Sequence, residues 1–145
     1  MTSAYFDSAI IVKLYVREAN SPDAIRLVEA CDAPYWLTPW RELEVRNAVR
    51  LKAFRKEITA AEMNQSIVAF EQDIASGRWQ RPAYAVGAVE KKATELSNNY
   101  SASLGCRTLD IIHVAVAIVI EASEFVTFDA RQAEMAKQAG LKVIP

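Results

Sequence analysis

Histidine occurs once in this 145-residue sequence, cysteine twice and glycine four times, and no apolar run is long enough to cross a bilayer. Each scarcity removes a class of function. A single histidine leaves no His/Cys cluster for zinc, and Cys31 and Cys106 have no metal-ligand spacing; two thiols fit a reducing compartment better than a disulfide framework. The glycines, at 77, 87, 105 and 140, are too scattered for a phosphate-cradling loop or a dinucleotide turn. No nucleophile elbow accompanies His113, which argues against a Ser-His-Asp hydrolase. "IIHVAVAIVI" at 111–120 is about half a membrane span. "MTSAYFDSA" shows no basic segment followed by a cleavable apolar stretch, so a cytoplasmic protein is expected. The formal net charge is −1. No global positive field marks a nucleic-acid binder, and any such role must rest on a local patch.

What is present is a globular composition, 52% hydrophobic and 24% charged. It fits one domain spanning residues 1–145, with no linker, repeat or composition break. "AYFD" reads as a buried strand followed by the helical "SAIIVKLYVRE". "NSPD" starts a second helix, with Ser21 as cap and Pro22 at the first helical position, running to about Ala30 and the "CDAP" turn. "YWLT" is a short strand, and Thr38-Pro39 opens a helix to about Arg55. "TAAE" at 59–62 is a capping box for a helix carrying Met63, Ile67, Phe70 and Ile74 on one side, stopped by Gly77. "GRWQRP" holds a very short strand, "YAVGAVEKKATELSNNY" a helix, and "RTLDIIHVAVAIVI" another after the Gly105 turn. "EFVTFD", "ARQAEMAKQAG" and "LKVIP" close the chain as strand, helix and strand. This alternation predicts a three-layer α/β/α sandwich with a central, mainly parallel sheet.

In such sheets ligands bind beyond the carboxyl ends of the strands. Asp7 follows the first strand, Asp129 follows "FVTF", and Asp110 opens a helix that should start on the same rim. Glu42 and Glu44 lie near the start of the helix after "YWLT". Two residues apart means about 200° of rotation, so only one of them can face the site, and periodicity does not say which. Each acid has a plain alternative. Asp7 and Asp129 could cap helices, Asp110 could complement a helix dipole behind a Thr108 cap, and Glu44 could pair with bases of its own helix. Their shared rim is what points further, because crowded carboxylates repel unless a cation or shifted pKa values compensate. Mg²⁺ or Mn²⁺ is the cation that oxygen ligands and the absence of a Cys/His cluster suit.

The segments "YFDSAIIVKLYVRE", "ELEVRNAV", "RTLDIIHVAVAI" and "FVTFDARQAEMAKQAGLKVI" resemble the four signature segments of PIN-domain ribonucleases, specifically VapC-type toxins of toxin–antitoxin modules. The likeness spans nearly the whole chain, with the acids in the same order. It implies a metal-dependent endoribonuclease whose Asp7, Glu44, Asp110 and Asp129 form the catalytic, metal-binding set; the "E-V-R-N-A" context selects Glu44 over Glu42. Ser8 and Thr127 would be supporting polar residues around that set; His113, three residues after Asp110 and on its side of the helix, reads first as a packed or hydrogen-bonded histidine and otherwise as a further support to the set. Ala9 departs from the family's pattern, where Thr-Ser often follows the first aspartate; it also stands where an aspartyl-phosphate enzyme would need a second Asp. One or two Mg²⁺ or Mn²⁺ ions would activate water for in-line attack, leaving a 3′-hydroxyl and a 5′-phosphate.

An RNA substrate must also be held. Residues 41–56 carry six basic side chains against two acids. Arg46 and Arg50, interleaved with Trp40 and Phe54, are the candidate phosphate contacts; the alternative is a solvated charged face. The resemblance further implies a VapB-type antitoxin partner and a homodimer, for which Ile67 and Phe70 would permit a face, with DNA reached only through the antitoxin complex. The competing functional class is a catalytically weak binding module, acting through antitoxin complex formation and operon autoregulation.

Overall fold

The computed structural model describes residues 3–33 and 35–145. Pro34, and with it part of the "CDAP" turn, lies outside them. In chain order the elements are β1 (Ala4–Phe6), α1 (Ser8–Tyr15), α2 (Ser21–Glu29), β2 (Tyr35–Trp36), α3 (Pro39–Phe54), α4 (Ala60–Ala75), β3 (Trp79–Gln80), α5 (Val86–Leu96), a π-helical turn (Ser97–Ser101), α6 (Ala102–Leu104), α7 (Thr108–Val119), β4 (Glu124–Val126), α8 (Ala130–Gln138) and β5 (Val143–Ile144). The five strands form one sheet in the order β3-β2-β1-β4-β5. Every pairing is parallel, with Ala4 opposite both Tyr35 and Glu124, and Tyr5 opposite Trp36 and Phe125.

Strand alternation divides the core into two layers. Ala4, Phe6 and Val126 turn to one face and pack with Ile10 and Ile11 of α1, Val28 of α2, Val45 of α3 and Phe70 of α4. Tyr5 and Phe125 turn to the other and pack with Val89 of α5, Val114 and Val116 of α7 and Met135 of α8. Both faces of the short strands are covered, which explains why they read as continuous apolar runs rather than as alternating patterns. The result is the expected α/β/α sandwich.

The local start signals hold in part. Thr59 accepts from the Glu62 amide and Glu62 returns to the Thr59 amide, the reciprocal box that begins α4. Thr38 accepts from the Arg41 amide at the start of α3. Ser21 does not cap α2: Asn20 holds that position without a side-chain bond, and the Ser21 hydroxyl accepts from the Glu18 amide instead. The long helix expected over 84–100 begins at Val86 and continues through the π turn into α6, where Gly105, at φ 68°, ends it in the left-handed conformation. Phe70 is 1% exposed and meets Tyr15 edge-on at 5.3 Å, so it belongs to this chain's own core and offers no dimer face. No described helix is long and apolar enough to cross a membrane.

Candidate active site at the carboxyl edge of the sheet

The strand order reverses between β1 and β4, which leaves a crevice at their carboxyl ends, the place where open α/β sheets bind ligands. Asp7 stands on one side of it. It occupies the cap position of α1 but makes no side-chain cap bond, so helix capping does not account for this residue. Its Oδ2 instead accepts from the Thr127 hydroxyl at 3.2 Å, and its Oδ1 lies 3.7 Å from Arg41 Nη1. Burial pushes the Asp7 carboxyl above its ordinary pKa; Arg41 and the Thr127 bond pull it back, while the charges of Glu44 and Asp110 push it further up.

Arg41 and Glu44 share one turn of α3. Arg41 is 1% exposed, donates from Nη1 to Glu44 Oε1 at 2.8 Å, and lies over the Tyr5 ring at 5.1 Å. Its Nε and Nη2 are buried without a hydrogen-bond partner. Glu44 Oε1 also lies 2.5 Å from His113 Nε2, a close contact that lacks hydrogen-bond alignment. Burial alone would raise the Glu44 carboxyl, but His113 and Arg41 together hold it below its ordinary range. His113 is fully buried, and Tyr5 Oη lies 2.6 Å from its Nδ1. With Nε2 facing a carboxylate, the consistent tautomer has its proton there and accepts from Tyr5 at Nδ1. Burial, reinforced by the Arg41 charge, lowers the His113 pKa to about 4, so the ring is neutral at physiological pH. Glu42 points elsewhere, held by both Arg81 Nε and Nη2 at 2.8 and 3.0 Å.

Asp110 sits in the first turn of α7, whose cap position is Arg107 with no side-chain cap bond, so Thr108 does not cap it. Its Oδ2 accepts from Arg107 Nε at 3.1 Å and its Oδ1 from Gln132 Nε2 at 3.4 Å. Gln132 is 3% exposed and its Oε1 lies 3.1 Å from the Thr127 hydroxyl. The single Thr127 hydroxyl proton is shared between Asp7 Oδ2 and Gln132 Oε1, so a polar chain runs from Asp110 through Gln132 and Thr127 to Asp7, joining α7, α8, β4's end and β1's end. Asp129 is engaged as a cap, its Oδ1 accepting from the Arg131 and Gln132 amides at 2.9 Å each. An open cleft of about 420 Å³ is lined by Arg107, Asp110, Asp129, Ala130 and Arg131.

The expected residues are thus brought together unevenly. Asp7, Glu44, Asp110, Thr127 and His113 belong to one connected network, while Asp129 borders it through Gln132. Ser8 is the first residue of α1 and half-buried, with no hydroxyl bond among the described residues. Arg46 pairs with Glu71 and Glu42 and packs over Phe70 at 5.6 Å, away from the acids; Arg50 is exposed. Among the described residues, no group of three or more His, Cys, Asp or Glu side chains converges closely enough to hold a metal ion. Arg41 stands between Asp7 and Glu44, and Thr127 with Gln132 stands between Asp7 and Asp110. The donor chemistry still suits a hard divalent cation, because such an ion commonly takes one or two carboxylates and completes its shell with water and phosphate oxygens. Asp7 and Asp110 can supply that pair.

Sequence reasoning passed over Arg41, Tyr5 and Gln132 as parts of the site. Arg41 did leave a signal: a cation in the first turn of a helix opposes the dipole and calls for another reason to be there. Gln132 was hidden by its spacing from Asp129, which imitates a capping box. In fact the Asp129 amide donates to the Thr127 hydroxyl at 3.0 Å, and the Gln132 side chain is free to reach Asp110.

No protein-family model matches this chain, and no curated protein matches its sequence. Its structure is similar to the crystal structure of FitAcB from Neisseria gonorrhoeae, with a TM-score of 0.71 over 98% of this chain and 96% of that one, at 16% identity. The fold is PIN-like. At that identity the likeness shows the fold alone, so function has to be argued from the site.

Proposed function

We propose that this protein is a metal-dependent endoribonuclease of the VapC type, the toxin of a toxin–antitoxin pair acting in the cytoplasm. The observation that carries the reading is the Asp7–Thr127–Gln132–Asp110 bridge, which holds two carboxylates from distant segments at the switch point of a PIN-like sheet. The partly buried Asp7 carboxyl, whose pKa is raised chiefly by burial and further by the charges of Glu44 and Asp110, is in the position of a group awaiting a cation. Asp7 and Asp110 would hold Mg²⁺ or Mn²⁺, with Asp129 at the cleft wall positioned to act through water. Such an ion supplies Lewis acidity and makes water a competent nucleophile near neutral pH. The chain's own part is to orient and to bind. Gln132 and Thr127 fix the two aspartates, neutral His113 and Arg41 fix Glu44, and Arg107 and Arg131 at the cleft mouth offer charge to phosphate oxygens. Phe128, 39% exposed between Thr127 and Asp129, offers a ring on which a base can stack.

The partners follow the same reading. Leu43, Leu51 and Phe54 are exposed along one side of α3, with Phe54 at 83%, and this apolar stripe suits an antitoxin segment or a second copy of the chain. DNA would be met only through the antitoxin complex. A second reading, a weakly catalytic module acting mainly through complex formation and operon autoregulation, draws support from Arg41 neutralising the acids and from Asp129 being used as a cap. Purified, antitoxin-free protein incubated with RNA in Mg²⁺, Mn²⁺ or EDTA separates the two. The nuclease reading predicts cleavage with either ion, 5′-phosphate ends and none in EDTA. Intact RNA under all three conditions would favour the binding module.

A further inference from the structure

Arg41 is a buried charge beside the acids that a metal-binding role leaves unexplained. Its guanidinium is 1% exposed, bonded to Glu44 at 2.8 Å and 3.7 Å from Asp7, with the Tyr5 ring beneath it. Two of its three nitrogens have no partner although they are buried. A guanidinium cannot shed its proton within a protein, so the charge is permanent. Burying it with unmet donors is costly, and the compensation visible here is the pair of carboxylates it lies between. Those are two of the acids that would otherwise gather around a divalent ion. A dication drawn to Asp7 and Glu44 together would have to sit against this fixed positive charge.

We propose that Arg41 is a built-in counter-cation that withholds Glu44 from metal, so that the site takes a divalent ion on its Asp7–Asp110 side alone. Arg41 thereby sets both the affinity and the number of ions. This inference rests on the metal-dependent reading above. The geometry accounts for the absence of a three-carboxylate cluster among the described residues, since Arg41 fills the gap between Asp7 and Glu44.

The test is calorimetric titration of Mn²⁺ into EDTA-stripped full-length protein, with folding followed by circular dichroism. Arg41→Gln removes the charge and is expected to bind Mn²⁺ at least about tenfold tighter or to take up a second equivalent. Arg41→Lys keeps the charge and is expected to stay close to the wild type. Unchanged or weaker binding by folded Arg41→Gln, with the wild type binding normally, overturns the inference and leaves the metal reading standing. Failure of both proteins to bind Mn²⁺ overturns both. Should Arg41→Gln not fold, Glu44→Gln in the native background decides: a smaller loss of affinity than Asp110→Asn causes supports the inference, and an equal loss overturns it.

Discussion

His113 shows what burial does to a single ionisable group at this site. Its ring has a pKa near 4 in the folded chain, against an ordinary value of 6.5, because it is buried and faces the Arg41 charge. The unfolded chain therefore takes up a proton that the folded chain refuses. The contribution to stability is intact above about pH 6.5 and is lost as the pH falls toward 4, at most roughly 3 kcal/mol for a shift of this size. Asp7, whose pKa is raised, slopes the other way, favouring the fold as the pH falls. The His113 effect is best read as a difference: in urea melts with EDTA, the advantage of the wild type over His113→Gln should shrink from pH 7 to pH 4. A constant difference would contradict a neutral buried ring. The sequence showed His113 three residues after Asp110 and so on its side of the helix. It could not show that Tyr5 and Glu44 close on the ring from β1 and α3, since neither contact is local.

At the scale of elements, α4 is attached through Phe70, which reaches Tyr15 and the core behind β1. Phe70→Ala should lower stability by about 3–5 kcal/mol, as for other large buried aromatics, measured by chemical denaturation. A value below about 1 kcal/mol would mean that the ring is not in the core. α3 and α4 were legible because they carry their own punctuation, Thr38 and Pro39 starting α3 and Thr59 and Glu62 starting α4, and Gly105 and Gly140 break the chain with positive φ. Strand positions were also legible, but not their extent. β2, β3 and β5 each pair over only two residues, fixed by their neighbours in the sheet. The π turn after α5 left no mark, because "SNNYS" reads as an ordinary helix end, and Tyr100 is placed by donating to the distant Gln138 carbonyl at 3.0 Å.

The whole molecule is built on a parallel sheet with one switch point, and the candidate site lies there. Composition argued against zinc and dinucleotide sites, no described helix is long and apolar enough to cross a membrane, and a polar chain links Asp7 and Asp110 at the carboxyl edge of the sheet. What the sequence withheld is the manner in which the acids are held apart. Arg41 and Gln132 stand between them, and Asp129 is spent partly on α8. With a net charge of −1, an RNA substrate would have to be gripped locally. That grip should weaken steeply with salt if Arg107 and Arg131 provide it, so Arg107→Ala with Arg131→Ala should flatten the salt dependence of RNA binding. The central claim is that Asp7 and Asp110 hold the ion that cuts RNA. Antitoxin-free wild type, Asp7→Asn and Asp110→Asn should be compared on RNA in Mn²⁺, each checked for folding. The account predicts cleavage by the wild type and a loss of at least about a hundredfold in both variants; near-wild-type cleavage by both would contradict it.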